Sequence, residues 1–388
     1  MNLSPADILP ADDGALLFGR IWSPAVQGPA VVRVDGDRLT DLSRAFPTSR
    51  DLCEAADPSA ALKNATGEDA GALADILTNT APETRDRSRP WLLSPVDLQA
   101  VKAAGVTFVT SMLERVIEER ARGDLTAAAG IRDHIRDLVG DDLRRLKPGS
   151  PEAAALKETL IAAGAWSQYL EVGIGPDAEI FTKGQPLSSV GVGADVGVHP
   201  ASTWNNPEPE VVLVVSSRGE IVGAALGNDV NLRDVEGRSA LLLGKAKDNN
   251  AAAAVGPFVR LFDGAFDLDA VRQLEISLTV TGQDGFVMNG RSAMGQISRD
   301  PADLTAQAIN AHHRYPDGLV LFLGTLFAPV QDRYESGKGF THATNDVVRI
   351  GCRQLGALVN RVRPTNECEP WTFGAADLMR NLAQRGLI

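Results

Sequence analysis

Asn206-Pro-Glu-Pro-Glu-Val-Val-Leu-Val-Val215 sets a continuous aliphatic run behind two glutamates and reads as a β-strand with Glu208 and Glu210 at its mouth. Side chains two apart on a strand share a face, so the two carboxylates point the same way and repel each other. A positive group between them relieves the repulsion, and an oxygen-ligated Mg²⁺ or Ca²⁺ is the usual one. The next run, Glu220-Ile-Val-Gly-Ala-Ala-Leu-Gly-Asn-Asp229, follows through Ser216-Ser-Arg-Gly219. A tight hairpin centred on that turn predicts Glu208 opposite Gly227, with Asp229 two positions further on. Diagonal neighbours across such a pair lie about 7–8 Å apart, near enough for Glu208, Glu210 and Asp229 to converge on one cation. The same pattern also suits two solvated edge glutamates and an ordinary turn aspartate. A calcium loop over Asp229-Val-Asn-Leu-Arg-Asp-Val-Glu236 is rejected, because it lacks the EF-hand glycine and the bidentate glutamate that closes such a loop.

Outward from this hairpin, residues 14–42 read as short strands, with Asp35-Gly36 between alternating apolar and polar positions as a hairpin signal. From about Ser49 to Leu77 the pattern is Ala-rich and helical, and the polar, Pro-bounded stretch 78–90 reads as a linker. The expected division is a small β-rich N-terminal domain over 1–85 and a larger domain over 86–388. A helical insert at about 107–170 has apolar residues at spacings of three and four. After Gly173, Val, Ile, Leu and Gly return, with turn signals at Ser216–Gly219, Gly282–Gly285 and Asn345-Asp346. The fold class expected is α+β, mostly β.

The 388 residues are 44% hydrophobic and 23% charged, enough to bury a large core and unlike a disordered composition. Asp and Glu total 50 against 38 Lys and Arg, a net charge of −12, and no basic cluster follows a phosphate backbone, so nucleic acid is not an expected partner. Cys53, Cys352 and Cys368 are too few and too scattered for a disulfide framework or a zinc site, and fit a reducing compartment. The opening residues lack the basic start and apolar run of a secretory signal. The longest aliphatic stretches fall far short of the roughly 20 residues that cross a bilayer. A soluble cytoplasmic protein without a membrane partner is expected.

An ordered series of motifs resembles the fumarylacetoacetate hydrolase family. Members carry an acidic E-x-E strand, a G-x-D-x-x-x-R-D segment and a lysine ahead of a Gly-Pro element. Here Glu208-Pro-Glu210, Gly227-Asn-Asp229-Val-Asn-Leu-Arg233-Asp234, and Lys247 leading into Val255-Gly-Pro257 follow in that order. Glu179-Ile-Phe-Thr-Lys183 is similar to the family's Phe-x-Lys strand, and Asn289-Gly-Arg291, Tyr315–Thr325, Asn345–Ile350 and Leu355–Asn360 continue the likeness, which spans roughly 90–365. The resemblance implies a β-roll catalytic domain with a helical lid. It implies Mg²⁺ or Mn²⁺ on Glu208, Glu210 and Asp229, with Lys183 and Lys247 facing the substrate. Lys245 competes with Lys247, and spacing to the Gly-Pro element favours Lys247. In the lid stretch Gly105-Val-Thr-Phe-Val-Thr-Ser111-Met-Leu-Glu114, the family's glutamate is kept as Glu114, but Ser111 stands where the family has histidine. In the hydrolases that His–Glu pair is the water activator, so its loss argues against hydrolytic carbon–carbon cleavage. Glu236 is a second departure, where several members have glutamine.

Within the family the chain looks most like the sugar-acid dehydratases, which convert 2-keto-3-deoxy-pentonates (D-xylonate or D-arabinonate forms) to 2-oxoglutarate semialdehyde. The helical insert, Lys245-Ala-Lys-Asp-Asn-Asn250, Gln296-Ile-Ser-Arg-Asp300 and Gly324-Thr-Leu-Phe-Ala-Pro329 carry that likeness. A 2-oxo acid chelated to a metal loses a C3 proton more readily, and a C4 hydroxyl can then leave as water, given a base and a proton donor nearby. The resemblance implies Glu114 as base or acid, Ser111 as its hydrogen-bonding partner, and Lys247 and Lys183 as charge stabilisers. Thr325, Ser292, Ser298, Arg299 and Lys245 are candidate substrate contacts, although Arg299 beside Asp300 also suits a structural ion pair. The alternative is a hydrolase or decarboxylase of an acylpyruvate or 2,4-diketo acid on the same metal site. A silent metal-binding scaffold is disfavoured, since it has no physical reason to keep like charges clustered. Pairing is common in the family, so a homodimer or homotetramer is implied, with a small 2-oxo sugar acid as substrate. His199, His312, His313 and His342 read as loop or helix-end residues, and Trp204 as cover for a strand edge.

Overall fold

The structure, a computed structural model, describes residues 1–108, 112, 116, 146–162, 164, 166–327, 329, 331–335 and 339–388. An eleven-stranded sheet forms its spine. At the sheet's centre Pro209–Val215 and Ile221–Asp229 pair antiparallel, with Glu210 opposite Gly227 and Leu213 opposite Ala224. Every residue of Pro209–Val215 is buried, which explains why its apolar run is continuous rather than alternating. Val211, Leu213 and Val215 enter one core with Leu226, Ile276 and Leu358. Val212 and Val214 enter a second with Phe322, Val255 and Leu52 on the opposite face.

Leu319–Phe322 flanks Pro209–Val215, and Ala253–Leu261 flanks Ile221–Asp229, both antiparallel. Ala100–Gly105 runs parallel to Leu319–Phe322, and Glu179–Gly184 completes that side. Lys183 on this last strand nevertheless lies 2.9 Å from Asp229, four strands away in the sheet order. The right-handed twist has therefore curled the sheet on itself. An isolated bridge from Val190 to Ala254 continues the approach of the two sides.

The β-rich opening is not a separate sheet. Leu17–Ser23 pairs with Ala253–Leu261, and Gly28–Asp35, Arg38–Asp41 and Glu68–Ala72 extend the same spine outward. The expected hairpin forms, with Asp35 opposite Arg38 and Gly36 at φ +63°. Within the stretch read as helical, Ser49–Cys53, Pro58–Asn64 and Leu73–Thr78 are helices, but Glu68–Ala72 is an edge strand. The open edge of Arg38–Asp41 recruits it, and Arg38 pairs with Asp69.

A five-stranded sheet packs against the spine, in the order Val287–Ala293, Glu275–Thr281, Val347–Cys352, Gly356–Pro364, Asp195–Val198. Burial alternates along Glu275–Thr281, because one face meets the core and the other faces water. Of the helical insert, Pro151–Ala162 and Gln168–Ile174 are described. Leu160, Leu170 and Ile174 gather with Met112 and Val116 in a small cluster of their own. Ser111 and Glu114 lie outside the described residues. Among the described residues no helix is long and apolar enough to cross a membrane.

Gly227 sits where the centre of the spine is tightest. A Cβ there would meet Phe322 at 2.3 Å and Val212 at 2.5 Å. Overpacking of this kind costs about 1–3 kcal/mol. Urea unfolding of Gly227→Ala is expected to show that loss; an unchanged midpoint would mean that Phe322 moves aside freely.

Candidate metal centre

Glu208, Glu210 and Asp229 stand at the mouth of the central hairpin, each offering a ligand oxygen, and these atoms all lie within 4.8 Å of one another. All three residues are at most 6% exposed. The Asp229 N–H donates to the Glu208 carbonyl at 3.0 Å, so Asp229 faces Glu208 directly and not as a diagonal neighbour. The expected register is two residues off. The turn is longer than a two-residue loop, with the Ser216 N–H donating to the Glu220 carbonyl at 2.9 Å. A bulge between Val214 and Val215 adds a further shift.

Two lysines answer the carboxylates. Lys247, on the short helix Leu243–Lys247, donates to Glu208 and, at 3.1 Å, to Asp229 Oδ2. The Lys183 ammonium lies 2.9 Å from Asp229 Oδ1, an ion pair whose alignment is not that of a hydrogen bond. It donates to the backbone carbonyls of Val230 at 3.0 Å and Lys247 at 2.6 Å. Burial alone would lower the pKa of Lys247, but Asp229 and Glu208 raise it above the ordinary lysine value. For Lys183 burial prevails over Asp229 and the value falls. Burial, then the charges of Asp229 and Glu208, push the Glu210 carboxyl well above the usual carboxylate range.

Backbone and amide groups hold this cluster in place. The Gly324 N–H donates to Glu210 Oε2 at 2.7 Å. Gly324 has φ +86°, and a Cβ there would lie 2.0 Å from Thr107 Oγ1, so glycine is required at this close approach. Asn231 Nδ2 donates to Glu208 Oε1 at 3.1 Å and to Glu236 Oε2 at 2.6 Å, tying a fourth carboxylate to the cluster. Asn231 and the Gly324 amide were not singled out in the sequence. Both lie within quoted motifs, but their role depends on contacts between separate segments.

Lys247, Glu236 and Thr325 line the cavity with the three carboxylates. Arg299, Ser298, Ser292 and Lys245 are not among the residues that line it. The Arg299 guanidinium donates to the carbonyls of Val172 at 2.8 Å and Gly175 at 2.7 Å, closing the end of the helix Gln168–Ile174. Ser298 donates to the Thr107 carbonyl at 2.8 Å, and Ser292 Oγ accepts from the Leu326 N–H at 3.1 Å. Lys245 lines a separate depression with His199 and Arg238. His312 and His313 are exposed beyond the helix Pro301–Ala308, whereas the His342 ring is shielded from solvent and lies 3.1 Å from Asp346. The Arg233 guanidinium covers the Trp204 ring at 4.4 Å.

The family model described as Fumarylacetoacetate (FAA) hydrolase C-terminal matches residues 170–363. The chain belongs to the fumarylacetoacetate hydrolase family. All three carboxylates and both lysines of the cluster fall inside the matched residues. A Haloferax volcanii protein named Probable 2-keto-3-deoxyxylonate dehydratase is 30% identical over 194 residues, 50% of this chain and 63% of its own length. The 2-dehydro-3-deoxy-D-arabinonate dehydratase of Saccharolobus solfataricus is 30% identical over 185 residues, 48% of this chain and 58% of its own. The chain thus matches less than two thirds of either relative's length. The solved structure of a 2-keto-3-deoxy-D-arabinonate dehydratase in its apo form shares the fold, with a TM-score of 0.62 at 19% identity over 90% of this chain and 99% of that one. The same figures hold for that enzyme complexed with magnesium and 2,5-dioxopentanoate.

Removing one partner of a buried ion pair costs about 3–5 kcal/mol, because the remaining charge has no compensation. Lys247→Met is therefore expected to lower the unfolding midpoint sharply without divalent cation, and Mg²⁺ is expected to restore more stability to it than to the unaltered protein. Thermal unfolding with and without Mg²⁺ measures both; equal Mg²⁺ shifts in the two proteins would mean that Lys247 does not balance the cluster's charge.

Proposed function

We propose that the protein is a divalent-cation-dependent dehydratase of a 2-keto-3-deoxy sugar acid, the pentonates 2-keto-3-deoxy-D-xylonate and D-arabinonate being the favoured substrates. The observation that carries the reading is the buried Glu208–Glu210–Asp229 cluster, in a chain that matches two dehydratases of such acids. Its donor set is carboxylate oxygen alone, which suits Mg²⁺ or Mn²⁺. Glu210, pushed toward its protonated form by burial and by the charges of Asp229 and Glu208, would give up that proton to a bound cation, so the cluster suits a cation on charge as well as on geometry. When bound there, the metal would supply Lewis-acid polarisation of a 2-oxo group.

The chain's own residues then have distinct tasks. Lys247 keeps positive charge in the cavity, where it suits an acid's carboxylate. The Thr325 hydroxyl lines the same space and accepts from the Phe327 N–H at 3.1 Å, which fixes its orientation. A base takes a proton from C3, the C4–O bond breaks, and the hydroxyl leaves with a second proton as water. Proton shifts carry the resulting 5-hydroxy-2-oxo-3-ene to the 5-aldehyde, so substrate equals product plus water. Glu114, assisted by Ser111, is our candidate for these proton transfers. Ser292, Ser298 and Arg299 serve as scaffold in this reading. A cytoplasmic homodimer or homotetramer is the form in which we expect the enzyme to work.

With Mg²⁺ and 2-keto-3-deoxy-D-xylonate, 2-oxoglutarate semialdehyde is expected to accumulate, measured through a coupled NAD(P)-dependent dehydrogenase. Turnover should stop with EDTA and in Glu208→Ala. Cleavage of an acylpyruvate with the sugar acid untouched would overturn the reading in favour of a carbon–carbon hydrolase.

A further inference from the structure

A groove of about 600 Å³ lies between the strand Leu17–Ser23, the segment Trp91–Ser94, the loop after Lys183 and the chain at Glu369–Phe373. Among the described residues it shares no lining residue with the metal cavity. Its volume is that of a small-molecule site. Three of the chain's 5 tryptophans line it: Trp22, Trp91 and Trp371. Trp22 stacks on Trp91 with centroids 5.7 Å apart, and Phe373 meets Trp22 edge-on at 5.2 Å. Trp371 is 46% exposed, yet its indole N–H donates to the Phe373 carbonyl at 3.0 Å. An exposed ring held in one orientation is prepared for stacking, since little freedom is left to lose on binding.

The groove is also cationic. Arg85 and Arg87 both reach the single carboxylate of Glu369, at 2.5 Å and 3.0 Å, which leaves one positive charge over. The Arg85 guanidinium lies 4.8 Å from the Trp91 ring centre, and its buried Nε has no hydrogen-bond partner. Arg20, the other arginine here, is answered by Asp97 at 3.5 Å. Leu187, which also lines the groove, holds φ +68°, a costly backbone for a bulky residue and one that clusters at ligand sites.

We propose that this groove is a second small-molecule site that takes a planar aromatic or heteroaromatic anion, its ring against the tryptophans and its negative group at Arg85 and Arg87. Binding there is independent of the proposed reaction, since it uses neither the carboxylate cluster nor its lysines. The tryptophans supply the readout. Adenosine monophosphate and phenyl phosphate are the probes, with inorganic phosphate as the control, and intrinsic fluorescence of the whole chain is followed. Saturable quenching is expected with at least one ring-bearing probe and not with inorganic phosphate. Trp371→Ala and Arg87→Ala are expected to weaken that binding about tenfold or more, as loss of a stacking or cationic contact does. Both side chains are exposed, so both variants should keep the Mg²⁺-dependent thermal shift and any turnover of the unaltered protein. No saturable response to either ring-bearing probe, or a response unchanged in both variants, overturns the proposal. So does a Trp371→Ala variant that changes the oligomeric state while binding the probes as before, which would make the groove a contact between copies of the chain.

Discussion

Three carboxylates held within 4.8 Å of one another, away from water, are the constraint to which the middle of this fold answers. In a low-dielectric interior such charges neither ionise freely nor stay together without a counter-charge. Lys183 arrives from the far side of the curled sheet and Lys247 from a short helix, and between them they touch Glu208 and Asp229. Glu210 receives the backbone N–H of Gly324. Burial and its neighbours' charge push it toward its neutral form. The curl of the spine is thus an electrostatic requirement as well as a consequence of strand twist: a flat sheet would leave Lys183 four strands from Asp229.

The surrounding polar groups form a second layer that fixes the backbone. Thr107 donates to the Leu323 carbonyl at 2.6 Å and accepts, at its own carbonyl, the Ser298 N–H at 2.7 Å. This links the stretch after Ala100–Gly105 to the turn that presents Gly324. Arg299 extends the same linkage by closing the helix Gln168–Ile174. Side chains whose types suit a sugar acid, Ser298 and Arg299 among them, are engaged with backbone carbonyls instead. A buried arginine must find acceptors, and the end of a helix offers several that are otherwise unsatisfied.

The alternation rule was enough to place Glu208 and Glu210 on one face, and the aliphatic run behind them marked the centre of the spine. Asp229 was legible as a third partner, but its register was not, because a bulge at Val214/Val215 leaves no mark in a run of valines. Lys183 could be reached only through the family likeness, since its contact with Asp229 spans the whole curl and no local pattern encodes it. Glu68–Ala72 was misread as helix because Ala and Gly carry little strand signal; the free edge of Arg38–Asp41 decided its state. The hairpin signals of the N-terminal strands are local, whereas the pairing of Leu17 with Arg260, which joins those strands to the spine, is not.

The family match and the cluster divide the chemistry of the site into two parts. The part that gathers negative oxygens and positive nitrogens lies wholly within 170–363, where the family model applies. The part assigned to proton transfer, Ser111 and Glu114, precedes it, in the stretch where this chain departs from the family's His–Glu pair. A charge cluster that can activate a 2-oxo acid does not by itself select hydration, hydrolysis or elimination, because each begins from the same polarised carbonyl. What selects among them is the group that delivers or removes the next proton. A histidine paired with a glutamate can hold and deprotonate a water, while a serine in its place offers a hydrogen bond and no base at neutral pH. In the reading we propose, keeping the charge cluster while replacing that histidine turns the same scaffold away from reactions that consume water and toward one that releases it.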